Sequence, residues 1–96
     1  MRITVAIACY NLEDRIADCL KSVIAQDFLD IEILIIDDHS TDNSVEVVRK
    51  LINNHSEKEI RLVINEENLG LCKVRNLSID EAQGDALFFM DGDYTI

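Results

Sequence analysis

The 96-residue chain has 9 basic and 19 acidic residues, a formal net charge of −10, and 48% hydrophobic and 29% charged residues. This length allows one domain, residues 1–96, and the composition is ordinary for a globular protein. The acidic balance argues against a nucleic-acid partner, because binding a phosphate backbone needs clustered lysine and arginine. It suits a protein that recruits a cation to meet an anionic ligand.

Four apolar segments predict buried strands, at Ile3 to Cys9, Ile31 to Ile36, Arg61 to Ile64 and Ala86 to Met90. The first and last of these are apolar enough to predict strands buried on both faces. The sequence following the last strand is Asp91-Gly92-Asp93.

Three helical patterns separate these strands. Asn11 is the predicted N-cap of the first helix, with Asp14 in the capping-box position, and Gln26-Asp27-Phe28 ends it. A segment rich in capping residues (39–44) precedes the second helix, which places Val45, Val48, Leu51 and Ile52 on one face and closes at Asn53-Asn54-His55. The third helix is predicted at about Leu71 to Ala82 and stops at Gly84. It places Val74 and Leu77 inward, with Ile79 as a further candidate.

The alternation β-α-β-α-β-α-β predicts an α/β fold, a Rossmann-like parallel sheet of about four strands with helices on both faces. We expect the first strand at the centre, the second and third on one side, and the fourth on the other. The carboxyl ends of the first, second and fourth strands would then border one crevice, where open α/β sheets bind ligands.

Asp37-Asp38 end the second strand just before a helix. One carboxylate could cap that helix. Alternatively, Asp38 could accept a hydrogen bond from a nucleoside, as acids at this place in Rossmann-like folds often do. The two interpretations stay open for Asp38.

Asp91-Gly92-Asp93 is a turn sequence when taken alone. At the end of an apolar strand it also predicts a site for Mg²⁺ or Mn²⁺, which take one or two carboxylates and complete their shell with phosphate oxygens and water. A ligand with a diphosphate would supply those oxygens.

Two further side chains have a structural and a functional interpretation. Arg75 could pair with Glu67 or Asp80 on the surface, or orient a nucleotide at the crevice. Tyr10 could stack on a base or merely cover the start of a helix. The sequence has no GxGxxG, GxxxxGK[ST] or GxSxG motif, which disfavours dinucleotide-binding, P-loop and α/β-hydrolase functions.

The sequence resembles the GT-A-type family 2 glycosyltransferases along its whole length. The resemblance is carried by Tyr10-Asn11, by 35–42 (IIDDHSTD), by Asn68-Leu69-Gly70, by Val74-Arg75-Asn76, by Gly84-Asp85 and by Asp91-Gly92-Asp93 as the D-x-D motif. Members of this family commonly have glycine at the position of His39.

The resemblance implies a role for each matching residue. Tyr10 and Asp38 would hold the nucleotide base, Arg75 would lie near the nucleotide, Asp91 would meet the ribose, and Asp93, with Asp91, would bind Mn²⁺ or Mg²⁺ and the diphosphate. It implies inverting transfer of a sugar from a nucleotide-sugar, with UDP as the expected nucleotide, to a saccharide or lipid-linked acceptor, as in cell-surface polysaccharide synthesis.

Family members continue well beyond the D-x-D motif into an acceptor-binding half that carries the catalytic base. We therefore expect this chain to be the nucleotide-binding half, truncated, with no catalytic residue of its own, and to self-associate through surface that the other half would cover. Two rivals are a non-catalytic nucleotide-binding module and, less favoured, a receiver-like phospho-accepting domain, whose acid pair should follow the first strand.

The sequence also predicts a location. Cys9, Cys19 and Cys72 form no CxxC pair and are odd in number, which predicts reduced, mostly buried thiols. The apolar run at the N-terminus is too short for a membrane span and lacks the cleavage site of a signal peptide. We expect a cytoplasmic protein, with the longer enzyme peripheral at the inner face of the membrane.

Overall fold

Seven elements alternate along the chain and build one parallel sheet with helices on both faces. A computed structural model describes residues 1–26 and 30–96. The strands are β1 (Ile3–Cys9), β2 (Ile31–Asp37), β3 (Ile60–Ile64) and β4 (Ala86–Asp91), and the helices are α1 (Ile16–Ile24), α2 (Ser44–Asn54) and α3 (Leu71–Glu81). The strand order is β3-β2-β1-β4. The predicted Rossmann-like α/β architecture, with β1 at the centre, is confirmed.

The two faces of the sheet bury different amounts of apolar surface. Alternate residues of β1 and β2, including Ile7 and Ile35, join α1 and α2 in the larger core cluster. The other face carries a smaller cluster beneath α3, formed by Ala6, Ala8, Leu34, Ile36 and Val74. Burying each large aliphatic side chain contributes about 1.5–3 kcal/mol, so the α1/α2 side holds most of the core.

The start of α1 differs from the prediction. The helix begins at Ile16 after a turn in which Arg15 N–H and Ile16 N–H both donate to the Leu12 carbonyl, and no side chain caps it. Asn11 cannot act as its N-cap because its backbone is left-handed (φ 52°) and its side chain accepts a hydrogen bond from Thr41 N–H. The helix ends at Ile24; the predicted end at Gln26-Asp27-Phe28 lies partly outside the described residues.

The expectation that β4 is buried on both faces was wrong. In the described part of the chain β4 pairs only with β1, which makes it an edge strand, and Phe88 is 51% exposed. Leu87 and Phe89 pack against the cluster beneath α3, and Met90 joins the larger one.

The end of α3 also differs. The helix stops at Glu81 rather than at Gly84, because Ala82 is already extended (ψ 134°). Ser78 is fully buried, whereas Ile79 is 59% exposed, so the inward placement of Ile79 was wrong. No helix in the described residues has both the length and the apolar composition needed to cross a membrane.

Candidate functional site

The carboxyl ends of β1, β2 and β4 border one open cavity of about 470 Å³. Four of the five predicted site residues line it: Tyr10, Asp38, Asp91 and Asp93. The start of α3 and the loop before it complete the wall with Asn68, Gly70, Leu71 and Val74. The parallel sheet thus gathers side chains from positions 10 to 93 at one edge, as expected for a ligand site in this architecture.

Asp37 and Asp38 are adjacent in sequence but have separate roles. The Asp37 carboxylate accepts hydrogen bonds from Ser40 N–H (2.9 Å) and from the Ser40 hydroxyl (2.6 Å), and so shapes the loop before α2. Asp38, only 6% exposed, turns to the opposite loop, where it accepts from Leu69 N–H (2.8 Å), Gly70 N–H (2.9 Å) and the Asn65 amide (2.9 Å). Neither carboxylate is the N-cap of α2, which is Asn43.

These contacts decide the charge of Asp38. Burial by itself disfavours the ionised form, but the hydrogen bonds from Leu69, Asn65 and Gly70 outweigh it and lower the pKa of Asp38 below its usual range. The carboxylate is therefore an anionic acceptor at neutral pH. Three of its roughly four lone-pair sites are in use, which leaves acceptor capacity on Oδ2 of a residue that lines the cavity.

Asp91-Gly92-Asp93 does form a turn, closed by Tyr94 N–H on the Asp91 carbonyl at 3.2 Å. Gly92 is required by close approach, because an added Cβ would lie 2.9 Å from the Ala8 carbonyl oxygen and 2.8 Å from Ile16 Cδ1. Gly92 N–H also donates to the Ala8 carbonyl at 2.8 Å. The glycine thereby fixes both aspartates against the end of β1, and the turn and the ligand-site interpretations are compatible.

The donor set of this turn fits a hard divalent cation only in part. Asp91 and Asp93 are the carboxylates that Mg²⁺ or Mn²⁺ prefers, yet the described residues contain no group of three or more His, Cys, Asp or Glu that could hold a metal alone. The remaining ligands would have to be phosphate oxygens and water. Arg15 Nη1 lies 4.0 Å from Asp93 Oδ2 and balances part of the acidic charge.

Arg75 is not among the residues of this cavity. It lines a neighbouring cavity of about 390 Å³ with Phe88, Phe89 and Tyr94, and its guanidinium lies 5.0 Å from the centre of the Phe89 ring. This is cation–π geometry. The two cavities share Leu71 and Asp91, so the cavity that Arg75 lines adjoins the first one at the acidic turn.

The two buried cysteines, Cys9 and Cys19, are unsuited to nucleophilic chemistry. Burial first, and the charge of Asp37 next, raise the pKa of Cys9 to about 12, and burial raises that of Cys19 to about 11. Thiols this basic are poor nucleophiles at neutral pH. Two of the three free cysteines are buried and Cys72 is exposed, close to the expectation.

Sequence reasoning missed two parts of the site. The first is the backbone of Leu69 and Gly70 as the partner of Asp38; the Asn68-Leu69-Gly70 motif was its only signal. The second is a pair of left-handed residues beside the cavity, Asn11 (φ 52°) and His39 (φ 65°). Glycine adopts the conformation of His39 without steric cost, which gives a physical reason for the glycine that the resemblance leads us to expect at that position.

Comparison with known proteins gives a consistent result. The Glycosyl transferase family 2 model matches residues 4–96. Glycosyltransferase GlyA of Streptococcus pneumoniae is 37% identical over 93 residues, which is 96% of this chain and 13% of that protein. An uncharacterized glycosyltransferase of Haemophilus influenzae is 33% identical over 91 residues, 95% of this chain and 36% of its own length.

Two solved structures have the same fold. The mannosyltransferase PcManGT of Pyrobaculum calidifontis, in complex with GDP-Man and Mn²⁺, superposes with a TM-score of 0.93 and 27% identity over 98% of this chain and 28% of that one. Residues 1–349 of Staphylococcus aureus TarS, in complex with UDP-GlcNAc, superpose with a TM-score of 0.86 and 32% identity. The superposition covers 97% of this chain and 27% of that one. The chain therefore spans well under half the length of each of these proteins.

Proposed function

This chain belongs to glycosyl transferase family 2, and we propose that it is the nucleotide-sugar-binding half of an inverting glycosyltransferase. The observation that carries the proposal is the convergence of Tyr10, Asp38, Asp91 and Asp93 on one cavity at the carboxyl edge of the sheet. The longer enzyme would transfer a sugar from a nucleotide-sugar, with a UDP-sugar as the expected donor. The acceptor would be a hydroxyl of a saccharide or of a lipid-linked molecule in cell-surface polysaccharide synthesis.

Asp38 and Tyr10 hold the base in this proposal. The free acceptor capacity of ionised Asp38 favours a base whose ring nitrogen N3 carries a hydrogen, as in uracil, over cytosine, whose N3 is an acceptor. Tyr10 is 46% exposed at the mouth of the cavity, which leaves its ring available for stacking on the base.

Asp91 and Asp93 receive the ribose and the diphosphate. Asp91, closer to the sheet, accepts from the ribose, and Asp93, with Asp91, holds Mn²⁺ or Mg²⁺. A bound cation would supply electrostatic stabilisation of the leaving diphosphate. Because two carboxylates complete only part of a coordination shell, nucleotide and cation each provide what the other lacks.

Arg75 acts where the two cavities meet. Its guanidinium lies over the Phe89 ring in a cavity that Asp91 also lines, from which it would reach the ligand near the acidic turn. No side chain of residues 1–96 is assigned as the catalytic base, so we expect no sugar transfer by this chain alone. Turnover above a no-protein control would contradict that expectation.

We propose a cytoplasmic location, since the three free cysteines match a reducing compartment, with the longer enzyme peripheral at the inner face of the membrane. The exposed apolar surface on the flank of β4 gives the chain alone a tendency to self-associate.

The proposal is tested by base selectivity. In NMR titrations of the purified chain with Mg²⁺, UDP should bind more tightly than CDP, and signals of Tyr10 and Asp38 should shift. Asp38→Asn should abolish the preference, because an amide can pair with either base edge. The ratio of the two affinities is insensitive to a general loss of folded protein. Equal binding of UDP and CDP by the unaltered chain would contradict the role of Asp38.

A further inference from the structure

Two loops beside the cavity are joined by a set of hydrogen bonds that the proposed ligand contacts do not use. Three successive amides of the loop after β1 donate to side chains of the loop before α2. Asn11 N–H donates to the Ser40 hydroxyl (2.9 Å), Leu12 N–H to the Ser44 hydroxyl (2.9 Å), and Glu13 N–H to Asp42 Oδ2 (3.2 Å). In return, Asn11 Oδ1 accepts from Thr41 N–H at 2.8 Å.

Each serine hydroxyl is itself held by a carboxylate. Ser40 donates its proton to Asp37 Oδ1 (2.6 Å), and Ser44 donates to Asp42 Oδ1 (2.5 Å). A hydroxyl has one proton to give, so committing it to the carboxylate leaves the oxygen lone pairs facing the amides of Asn11 and Leu12. The structure thus contains two similar hydrogen-bond chains, in each of which a backbone amide donates to a serine hydroxyl and that hydroxyl donates to a carboxylate.

Asn11 has a second feature that depends on its side chain. Its backbone is left-handed (φ 52°), a conformation that costs most residues roughly 1–2 kcal/mol and that asparagine tolerates best after glycine. Asn11 directly follows Tyr10 in the chain, so the contacts that hold the backbone of Asn11 also restrain the backbone next to Tyr10. Tyr10 is about half exposed, so its place at the cavity depends on the backbone that carries it as well as on packing around its ring.

We propose that Asn11 and Asp42 are positioning residues, which act through the backbone of residues 10–13 to hold Tyr10 where a nucleotide base stacks. This inference rests on the proposed function. The inference adds to the proposed function, because it makes the affinity for the base depend on residues that do not touch the ligand. The metal and diphosphate contacts at Asp91 and Asp93 do not depend on Asn11 or Asp42.

The test distinguishes the contribution of the base to binding from that of the diphosphate. Binding of UDP and of inorganic pyrophosphate, both with Mg²⁺, is measured by NMR titration for the unaltered chain and for Asn11→Gly, which keeps the left-handed turn and removes the side-chain acceptor. We expect UDP affinity to fall about fivefold, on the order of one hydrogen bond's contribution, and pyrophosphate affinity to stay unchanged. Amide exchange at Thr41 should accelerate.

Matched variants complete the design. Asn11→Asp keeps an acceptor and tolerates the same backbone, so it should restore UDP affinity, and Asp42→Ala should lower it as Asn11→Gly does. Asn54→Gly, at the far end of α2, should change neither ligand. Equal losses for UDP and pyrophosphate, or unchanged UDP affinity in Asn11→Gly and Asp42→Ala, would overturn the inference alone. Absence of UDP binding by the unaltered chain would overturn the proposed function and this inference with it.

Discussion

The carboxylate of Asp38 accepts a hydrogen bond from the backbone N–H of Gly70 at 2.9 Å and joins the end of β2 to the start of α3. The same carboxylate holds the amide of Leu69. One side chain therefore builds a wall of the cavity and, in our proposal, also reads the base. Mutations of Asp38 will affect both folding and binding, and the experiments must separate the two.

Asp38→Asn should destabilise the fold by about 1–3 kcal/mol, because the new amide turns a donor toward backbone donors and leaves at least one buried group unpaired. Urea unfolding measures the change. Asp80→Asn, an exposed position near the other end of α3, is the control and should stay close to the unaltered chain. Equal stability of both variants would show that the Asp38 contacts contribute nothing.

Glu32 predicts how stability depends on pH. It is 1% exposed on β2 and accepts hydrogen bonds from the Thr4 hydroxyl (2.6 Å) and Gln83 N–H (2.7 Å). Burial alone raises its pKa, but these bonds and the charges of Arg61 and Arg2 lower the pKa below the ordinary value of 4.5. A depressed pKa in the folded state means that the carboxylate stabilises the fold above the unfolded pKa.

That contribution is lost as the pH falls through the folded-state pKa. Urea midpoints measured from neutral pH down to about 3 should therefore decline below about 4.5, the range where the unfolded carboxyl begins to bind protons. Glu32→Gln has no charge to titrate and should have a flatter profile. An equally steep decline in that variant would assign the pH dependence to other carboxyls such as Asp38.

Gly92→Ala should destabilise the fold by about 1–3 kcal/mol, as overpacking typically does, since its Cβ would meet the Ala8 carbonyl at 2.9 Å. It should also weaken Mn²⁺-pyrophosphate binding, because Asp91 and Asp93 must shift with the turn. Gly70→Ala is the comparison: its Cβ would meet nothing within 4 Å, but its φ of 88° makes a side chain costly. It should lose stability and keep pyrophosphate binding.

Phe88 on the edge strand predicts self-association of the chain. An apolar side chain that is half exposed, on a strand whose outer edge pairs with no other strand of residues 1–26 and 30–96, favours pairing with a second copy. Sedimentation at tens of micromolar, a concentration range where exposed apolar surface drives association, should give a dimer or larger species. Phe88→Glu should shift it to monomer, and Ile79→Glu on α3 should not. A monodisperse monomer of the unaltered chain would contradict this.

More of the fold than of the detailed site could be predicted from the sequence. Element order, the central place of β1 and the convergence of Tyr10, Asp38, Asp91 and Asp93 followed from apolar runs and strand ends, because parallel strands bring their carboxyl ends to one edge. The exposure of Phe88 did not follow. It depends on which strand lies at the edge, and a run of five apolar residues looks the same there as in the centre.

The missed details of the site all depend on contacts between distant residues. The Asp38 carboxylate meets Gly70 across 32 positions, and the Asn11 side chain meets Thr41 across 30. Local patterns therefore indicated a cap for Asn11 and left a cap as one of two interpretations for Asp38, since the same polar side chains are typical of helix starts. The direction of Arg75 depends on the Phe89 ring, which belongs to another element.

The most direct test of the account is the coupling between UDP and Mn²⁺ in the purified chain, measured by calorimetry or NMR titration. We expect weak UDP binding, near millimolar or about −4 kcal/mol, strengthened by Mn²⁺, with UDP strengthening Mn²⁺ binding by the same factor. Asp93→Asn should abolish the coupling while Asp80→Asn retains it. No UDP binding at several millimolar with Mn²⁺, or an unchanged metal dependence in Asp93→Asn, would contradict the account.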